Sequence, residues 1–159
     1  MIESLQERNA ACRDWIGMIT QASPAAATVA ATVLVVEDDF LVRLCAAEAL
    51  SEAGFNVLQA DSGPDALRIL EDEPVDVVFT DINMPGAFDG AGLARRISHR
   101  WPATAVVVTS GRGLPDGGLG NALFLPKPYM PDRLAGVIED VLGFHAGHDV
   151  AGKVRCLAG

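Results

Sequence analysis

Glu37, Asp38, Asp81, Thr109 and Lys127 are the residues whose types and spacing could do chemistry. Each closes or directly follows a short apolar run: "VLVVEDDF" holds the first two acids, "VVFTD" ends in Asp81, "VVVTS" carries Thr109 and "FLPK" ends in Lys127. Carboxylates at the end of a buried run repel one another and lose hydration, so each is costly to keep ionised. A hard divalent cation relieves that repulsion, and Mg²⁺ suits oxygen ligands. A metal, a hydroxyl and an ammonium are the parts that stabilise a transferring phosphoryl group. A carboxylate beside them can attack as a nucleophile and hold an acyl phosphate. Asp39 is expected to start a helix as its N-cap rather than to join the acids.

Those residues can act together only if the fold gathers the ends of their runs. The segments "TVLVV", "FNVLQA", "VDVVFTD", "TAVVVTSG" and "NALFLPK" read as five strands. Between and after them, four segments carry helical spacing. "DFLVRLCAAEALSEAG" has Leu41, Leu44, Cys45 and Leu50 in register with Gly54 at its end, and "DSGPDALRILEDE" opens with Ser62 and Pro64. "DGAGLARRISHRW" stops before Pro102, and "PDRLAGVIEDVLGF" lines up Leu134, Val137, Ile138, Val141 and Leu142. The segment "GRGLPDGGLG" holds five glycines and a proline, so no stable helix is expected between the fourth and fifth strands. Strands this apolar are covered on both faces, which implies a parallel sheet with right-handed crossovers. The expected fold is α/β, a doubly wound (βα)5 flavodoxin-like sheet of order 2-1-3-4-5 with a degenerate fourth helix. Sites in such sheets form beyond the carboxyl ends of the strands. Strands one and three are then neighbours, so Glu37, Asp38 and Asp81 should converge. Asp81, on the central strand with the other acids to one side, is the candidate nucleophile.

The totals narrow the function classes. A chain of 159 residues, half of them apolar, suits one domain with extra pieces. A net charge of −9 with no Lys/Arg cluster argues against a nucleic-acid surface. The polar start "MIESLQERNAACRDW" is no signal peptide, and "PAAATVAATVLVV" is too short for a membrane span. Cys12, Cys45 and Cys156 form no CxxC or zinc spacing and read as reduced thiols of a cytoplasmic protein. The expected division is an extension and linker over 1–30, with a helix over 2–20, a domain over 31–145, and a flexible tail over 146–159.

From about Val33 to Gly143 the chain resembles the receiver domain of two-component response regulators, of the stand-alone, CheY-like kind. "VVEDD", "TDINMP", "VVVTS" and "FLPKPY" carry the resemblance, in order and on the expected strands. The resemblance implies that Asp81 accepts phosphate from a phosphohistidine on a sensor histidine kinase or phosphotransfer protein. It makes Glu37 and Asp38 the acidic pair that binds Mg²⁺ with Asp81, and gives Asn83 a backbone carbonyl ligand. Thr109 takes the switch-hydroxyl position, Phe124 the switch-aromatic position and Lys127 the phosphate-pairing position, with Lys127-Pro128 expected cis. The output would be contact with an unknown downstream protein, with no nucleic acid, membrane or DNA-binding output domain expected and homodimerisation left open. Such a chain is a signalling receiver rather than an enzyme, autocatalysing only its own phosphoryl transfer and hydrolysis. Receivers usually carry a helix where "GRGLPDGGLG" stands, and that segment is expected to order when phosphate or a partner binds. The alternative, an Mg²⁺-dependent phosphatase with an aspartyl nucleophile, needs an acid where Asn83 stands. A flavodoxin-type FMN binder is discounted because "EDDF" would repel the phosphate.

Overall fold

The computed structural model describes residues 30–113 and 119–145. The expected N-terminal helix and linker, Cys12, Cys156, the tail and the middle of the glycine-rich segment lie outside the described residues. Five strands form one parallel sheet: β1 (Thr32–Val36), β2 (Asn56–Ala60), β3 (Val77–Asp81), β4 (Ala105–Ser110) and β5 (Leu123–Pro126). Their order is β2-β1-β3-β4-β5, as expected. Four helices complete the fold: α1 (Phe40–Glu52), α2 (Gly63–Asp72), α3 (Gly90–Arg100) and α4 (Pro131–His145). None of the described helices is long and apolar enough to cross a membrane.

Side chains alternate across a strand, so each strand feeds two cores. Val33, Val35, Val77, Phe79, Ala105, Val107 and Leu125 pack under α1 and α4 with Leu50, Leu134 and Ile138. Leu34, Val36, Val78, Val106, Val108 and Phe124 pack under α2 and α3 with Leu70, Leu93 and Ile97. Leu119, from the end of the glycine-rich segment, is fully buried in this second core.

Local chemistry sets the helix ends. Asp39 is an N-cap, accepting from the amides of Leu41 at 2.9 Å and Val42 at 3.1 Å. Asp89 does the same for α3 through the Gly92 amide at 2.8 Å. Ser62 holds the cap position of α2 but makes no side-chain cap bond; its hydroxyl donates to Asp61 at 2.9 Å instead. Gly54 sits just past α1 with φ +95°, the left-handed region that a glycine enters without a Cβ penalty.

The apolar register expected along α1 does not describe its buried face. The helix buries Ala46, Ala47 and Leu50, while Leu41 is 68% and Phe40 61% exposed. A helix apolar on several sides has no unique face, and alanines let it lie close to the sheet.

Candidate functional site

Glu37, Asp81, Thr109 and Lys127 lie two residues beyond Val35, Phe79, Val107 and Leu125, the last apolar residues of the first core on their strands. The two-residue period therefore aims all of them to the same side of the sheet. The β3–β4 register places Asp81 directly opposite Thr109. The Lys127 ammonium donates to Asp81 Oδ2 at 2.8 Å and to Glu37 Oε2 at 3.3 Å. The backbone amide of Asn83 donates to the other Asp81 oxygen, Oδ1, at 3.0 Å. Asp81 is thus gripped through both oxygens while nearly buried. The Lys127-Pro128 peptide bond is cis, as expected.

Asp38 is exposed and lies in the bend between β1 and α1. Among the described residues no cluster of three or more acidic, histidine or cysteine side chains is assembled. The structure gathers Glu37, Asp81 and Lys127 with the Asn83 amide. Phe124 lies on the other face of the sheet, 4% exposed in the second core. The Thr109 hydroxyl is fully buried with no hydrogen-bond partner.

Burial raises the pKa of Glu37 above its ordinary value, with the Asp81 charge adding and the Lys127 charge opposing. For Lys127, burial pulls the pKa down, but the bond to Asp81 and the charges of Glu37 and Asp81 outweigh it, so the net direction is up. Burial also raises Tyr129, whose ring meets Phe79 edge-on at 5.7 Å beneath the site. Glu37 is therefore an anion short of compensation beside an otherwise balanced Lys127–Asp81 pair. The donors around it, the carboxylates of Glu37 and Asp81, the exposed carboxylate of Asp38 and the Asn83 carbonyl, are all hard oxygens. That donor chemistry fits a hard divalent cation.

Two residues matter here that sequence reasoning did not single out. A Cβ on Gly90 would lie 2.0 Å from the Asp81 carbonyl oxygen and 2.9 Å from Ile82 Cα, so only glycine lets α3 start against the end of β3. Ser110 receives the Asn83 side-chain amide at 3.2 Å and the Arg112 backbone amide at 3.0 Å. A glycine in the first turn of a helix and a serine after a threonine are too common to stand out in one sequence.

The family model for the response regulator receiver domain matches residues 33–139. The sensor kinase CckA of Brucella abortus is 38% identical over 122 residues, which is 70% of this chain and 12% of the kinase. The DNA-binding transcriptional regulator NtrC of Escherichia coli is 30% identical over 118 residues, 71% of this chain and 25% of the regulator. The chain thus spans a quarter or less of the length of these two relatives. Among solved structures, the receiver domain of the hybrid histidine kinase CckA superposes with a TM-score of 0.61 at 33% identity, covering 70% of this chain and 98% of that one. A CheY-like receiver domain protein from Methanospirillum hungatei gives a TM-score of 0.69 at 20% identity, covering 74% of this chain and 97% of that one, a likeness of fold.

Proposed function

The chain belongs to the response regulator receiver domain family, and on that premise we propose that it is a phosphoacceptor whose Asp81 takes a phosphoryl group from a partner's phosphohistidine. The observation that carries this reading is the double grip on Asp81, with Lys127 at 2.8 Å on Oδ2 and the Asn83 amide at 3.0 Å on Oδ1. A carboxylate oriented in advance loses little freedom on the way to an in-line displacement. An Asp81 oxygen attacks phosphorus, the N–P bond of the phosphohistidine breaks, and the freed imidazole keeps the electron pair of that bond. Lys127 neutralises charge on the phosphoryl oxygens. The Thr109 hydroxyl, opposite Asp81 and without a partner, supplies a donor to one of them.

Glu37, Asp38, Asp81 and the Asn83 carbonyl would hold Mg²⁺. The ion would supply charge neutralisation between the acids and the phosphoryl oxygens. Switching would draw Thr109 toward the phosphoryl group and let Phe124 move in its own core, shifting the population between two surfaces.

The partner reading rests on the rim of the mouth. Exposed Leu41 and Val42 line a groove of about 650 Å³ together with Pro128, Tyr129 and Pro131, and the groove reaches Lys127. Contiguous apolar surface beside a reactive group suits protein docking. We assign that role to a sensor histidine kinase or phosphotransfer protein, with output through a downstream protein. Residues 31–145 form the receiver, with 1–30 an extension and 146–159 a tail.

The test is labelling by acetyl phosphate with Mg²⁺, comparing the wild type with Asp81→Asn. The wild type gains one acid-stable, base-labile phosphoryl group and the variant gains none. Equal labelling of the two, or no label on either, rejects the reading.

A further inference from the structure

We propose that Ser110 is a positioning residue: its hydroxyl latches the loop that follows Asp81 to the segment that follows β4. The inference rests on the phosphoacceptor reading. Ser110 ends β4 and is 3% exposed. Its Oγ accepts from Asn83 Nδ2 at 3.2 Å and from the Arg112 amide at 3.0 Å. One residue is therefore held twice. The Asn83 side chain is tied to Ser110, and the Asn83 backbone amide is tied to Asp81 Oδ1 at 3.0 Å. The backbone between β3 and α3 is also fixed by the amides of Met84 and Gly90, which both donate to the Ile82 carbonyl, at 3.0 and 3.1 Å. Ser110 adds the side-chain bond that ties Asn83 itself, in the loop after β3, to the end of β4.

The two strands that flank the mouth are thus joined above the last ladder bond, in which the Ile82 amide donates to the Thr109 carbonyl at 2.9 Å. Thr109 faces the phosphoacceptor, while its neighbour Ser110 faces the opposite side and reaches the loop. Thr109 and Ser110 are consecutive at the end of β4, so a backbone displacement at Thr109 moves Ser110 with it. The latch then transmits that displacement both to Asn83 and to the start of the glycine-rich segment at Arg112. Without the hydroxyl, Asn83 loses its anchor, and the Asp81 carboxylate loses part of its preset orientation.

The test is a double-mutant cycle on labelling by acetyl phosphate with Mg²⁺, read beside amide exchange at Arg112. Ser110→Ala is expected to slow labelling about fivefold, the effect of one net hydrogen bond. Asn83→Ala breaks the same contact from its other end, so adding Ser110→Ala to it should change the rate no further. Ser110→Ala should also speed exchange of the Arg112 amide by a similar factor, in the absence of any phosphodonor. A wild type that labels while Ser110→Ala labels equally fast overturns the latch and leaves the phosphoacceptor reading intact. Additive slowing in the double variant, or unchanged exchange at Arg112, overturns the latch as well. A wild type that takes no label overturns the phosphoacceptor reading and this inference with it.

Discussion

The two faces of the sheet are built from the same strands and end differently. Under α2 and α3, Leu34, Val36, Val78, Val106, Val108 and Phe124 stay apolar, and Ile82 and Met84 extend that core past the end of β3. Under α1 and α4 the pattern switches at the last residue of each row, from Val35, Phe79, Val107 and Leu125 to Glu37, Asp81, Thr109 and Lys127. The buried hydroxyls on the α2–α3 side are satisfied: Thr80 donates to the Asp81 carbonyl at 3.0 Å, and Ser110 accepts from the Asn83 side chain at 3.2 Å. The α1–α4 side keeps an unpartnered hydroxyl on Thr109 and, in Glu37, a carboxylate whose pKa burial pushes up. The reactive mouth is thus a core whose last layer has been exchanged for charge. One face holds the fold and the other keeps its polar groups underused, as a site for a transferring group requires.

The contrast breaks most visibly when each face loses one large contributor. Asp81→Asn should abolish labelling by acetyl phosphate while the circular dichroism spectrum stays native. Leu93→Ala, fully buried on the other face, should cost about 2–5 kcal/mol in urea unfolding, while the folded fraction still labels. Equal loss of label from both variants would erase the division of labour.

Gly90 is where the two faces meet, so its substitution should damage both. Gly90→Ala sets a methyl 2.0 Å from the Asp81 carbonyl oxygen, and the end of β3 or the start of α3 must move. A cost of about 2 kcal/mol or more is expected, as for other overpacked sites, together with slower labelling of Asp81. A variant with wild-type stability and labelling would show that α3 can shift without disturbing the phosphoacceptor.

How far the sequence spoke follows the same division. Apolar runs of strand length, spaced by helical segments, pointed to a parallel doubly wound sheet, whose expected order holds, and the acids and lysine at the strand ends pointed to the mouth. Those signals are legible because burial on two faces makes the inner strands nearly continuous apolar runs. The register of α1 was not legible: Leu41 and Cys45 fit the helical period yet are exposed, because Ala46 and Ala47 offer a closer approach to the sheet. Glu37 and Asp38 were expected to converge with Asp81, and a run of adjacent acids does not say which of the two meets the lysine; it is Glu37 that Lys127 reaches. Ser62 looked like a cap and bonds Asp61 instead, since a neighbouring carboxylate competes for a short hydroxyl. Contacts such as Asn83 to Ser110, separated by 27 residues, exist only once β3 and β4 are paired.

Thr109 tests whether the underused polarity has a cost. Its hydroxyl is buried with no partner, and a valine keeps its shape. Thr109→Val should leave the unphosphorylated protein unchanged or stabilise it by about 1 kcal/mol, since an unsatisfied buried hydroxyl is removed. The same variant should respond less to phosphorylation, measured as the change in amide exchange around Phe124 on adding beryllofluoride and Mg²⁺. A clear loss of stability without any ligand would mean that the hydroxyl already has a role in the resting fold.

Glu37 gives the smallest effect and the one with a defined pH window. Its folded pKa is raised, first by burial and then by the Asp81 charge, against an ordinary value of 4.5. The folded state therefore holds that proton more tightly than the unfolded chain does. Stability is lost as pH rises from the ordinary carboxylate range through the raised folded pKa, and the loss persists at neutral pH. Glu37→Gln removes the titration, so it should stabilise the metal-free protein at pH 7 by up to about 1 kcal/mol, since the Lys127 charge offsets part of the cost of burying the carboxylate. The gain should shrink toward zero below pH 4.5, where the wild-type side chain is protonated in both states. Lys127 keeps its bond to Asp81 at 2.8 Å in either protein, so the comparison isolates the acid that the pair leaves uncompensated. Millimolar Mg²⁺ should reverse the ranking, raising the melting temperature of the wild type more than that of Glu37→Gln. A wild type more stable than the variant at pH 7 without metal would mean that the Lys127 contact at 3.3 Å already compensates Glu37, and that the mouth is balanced before any cation or phosphoryl group arrives.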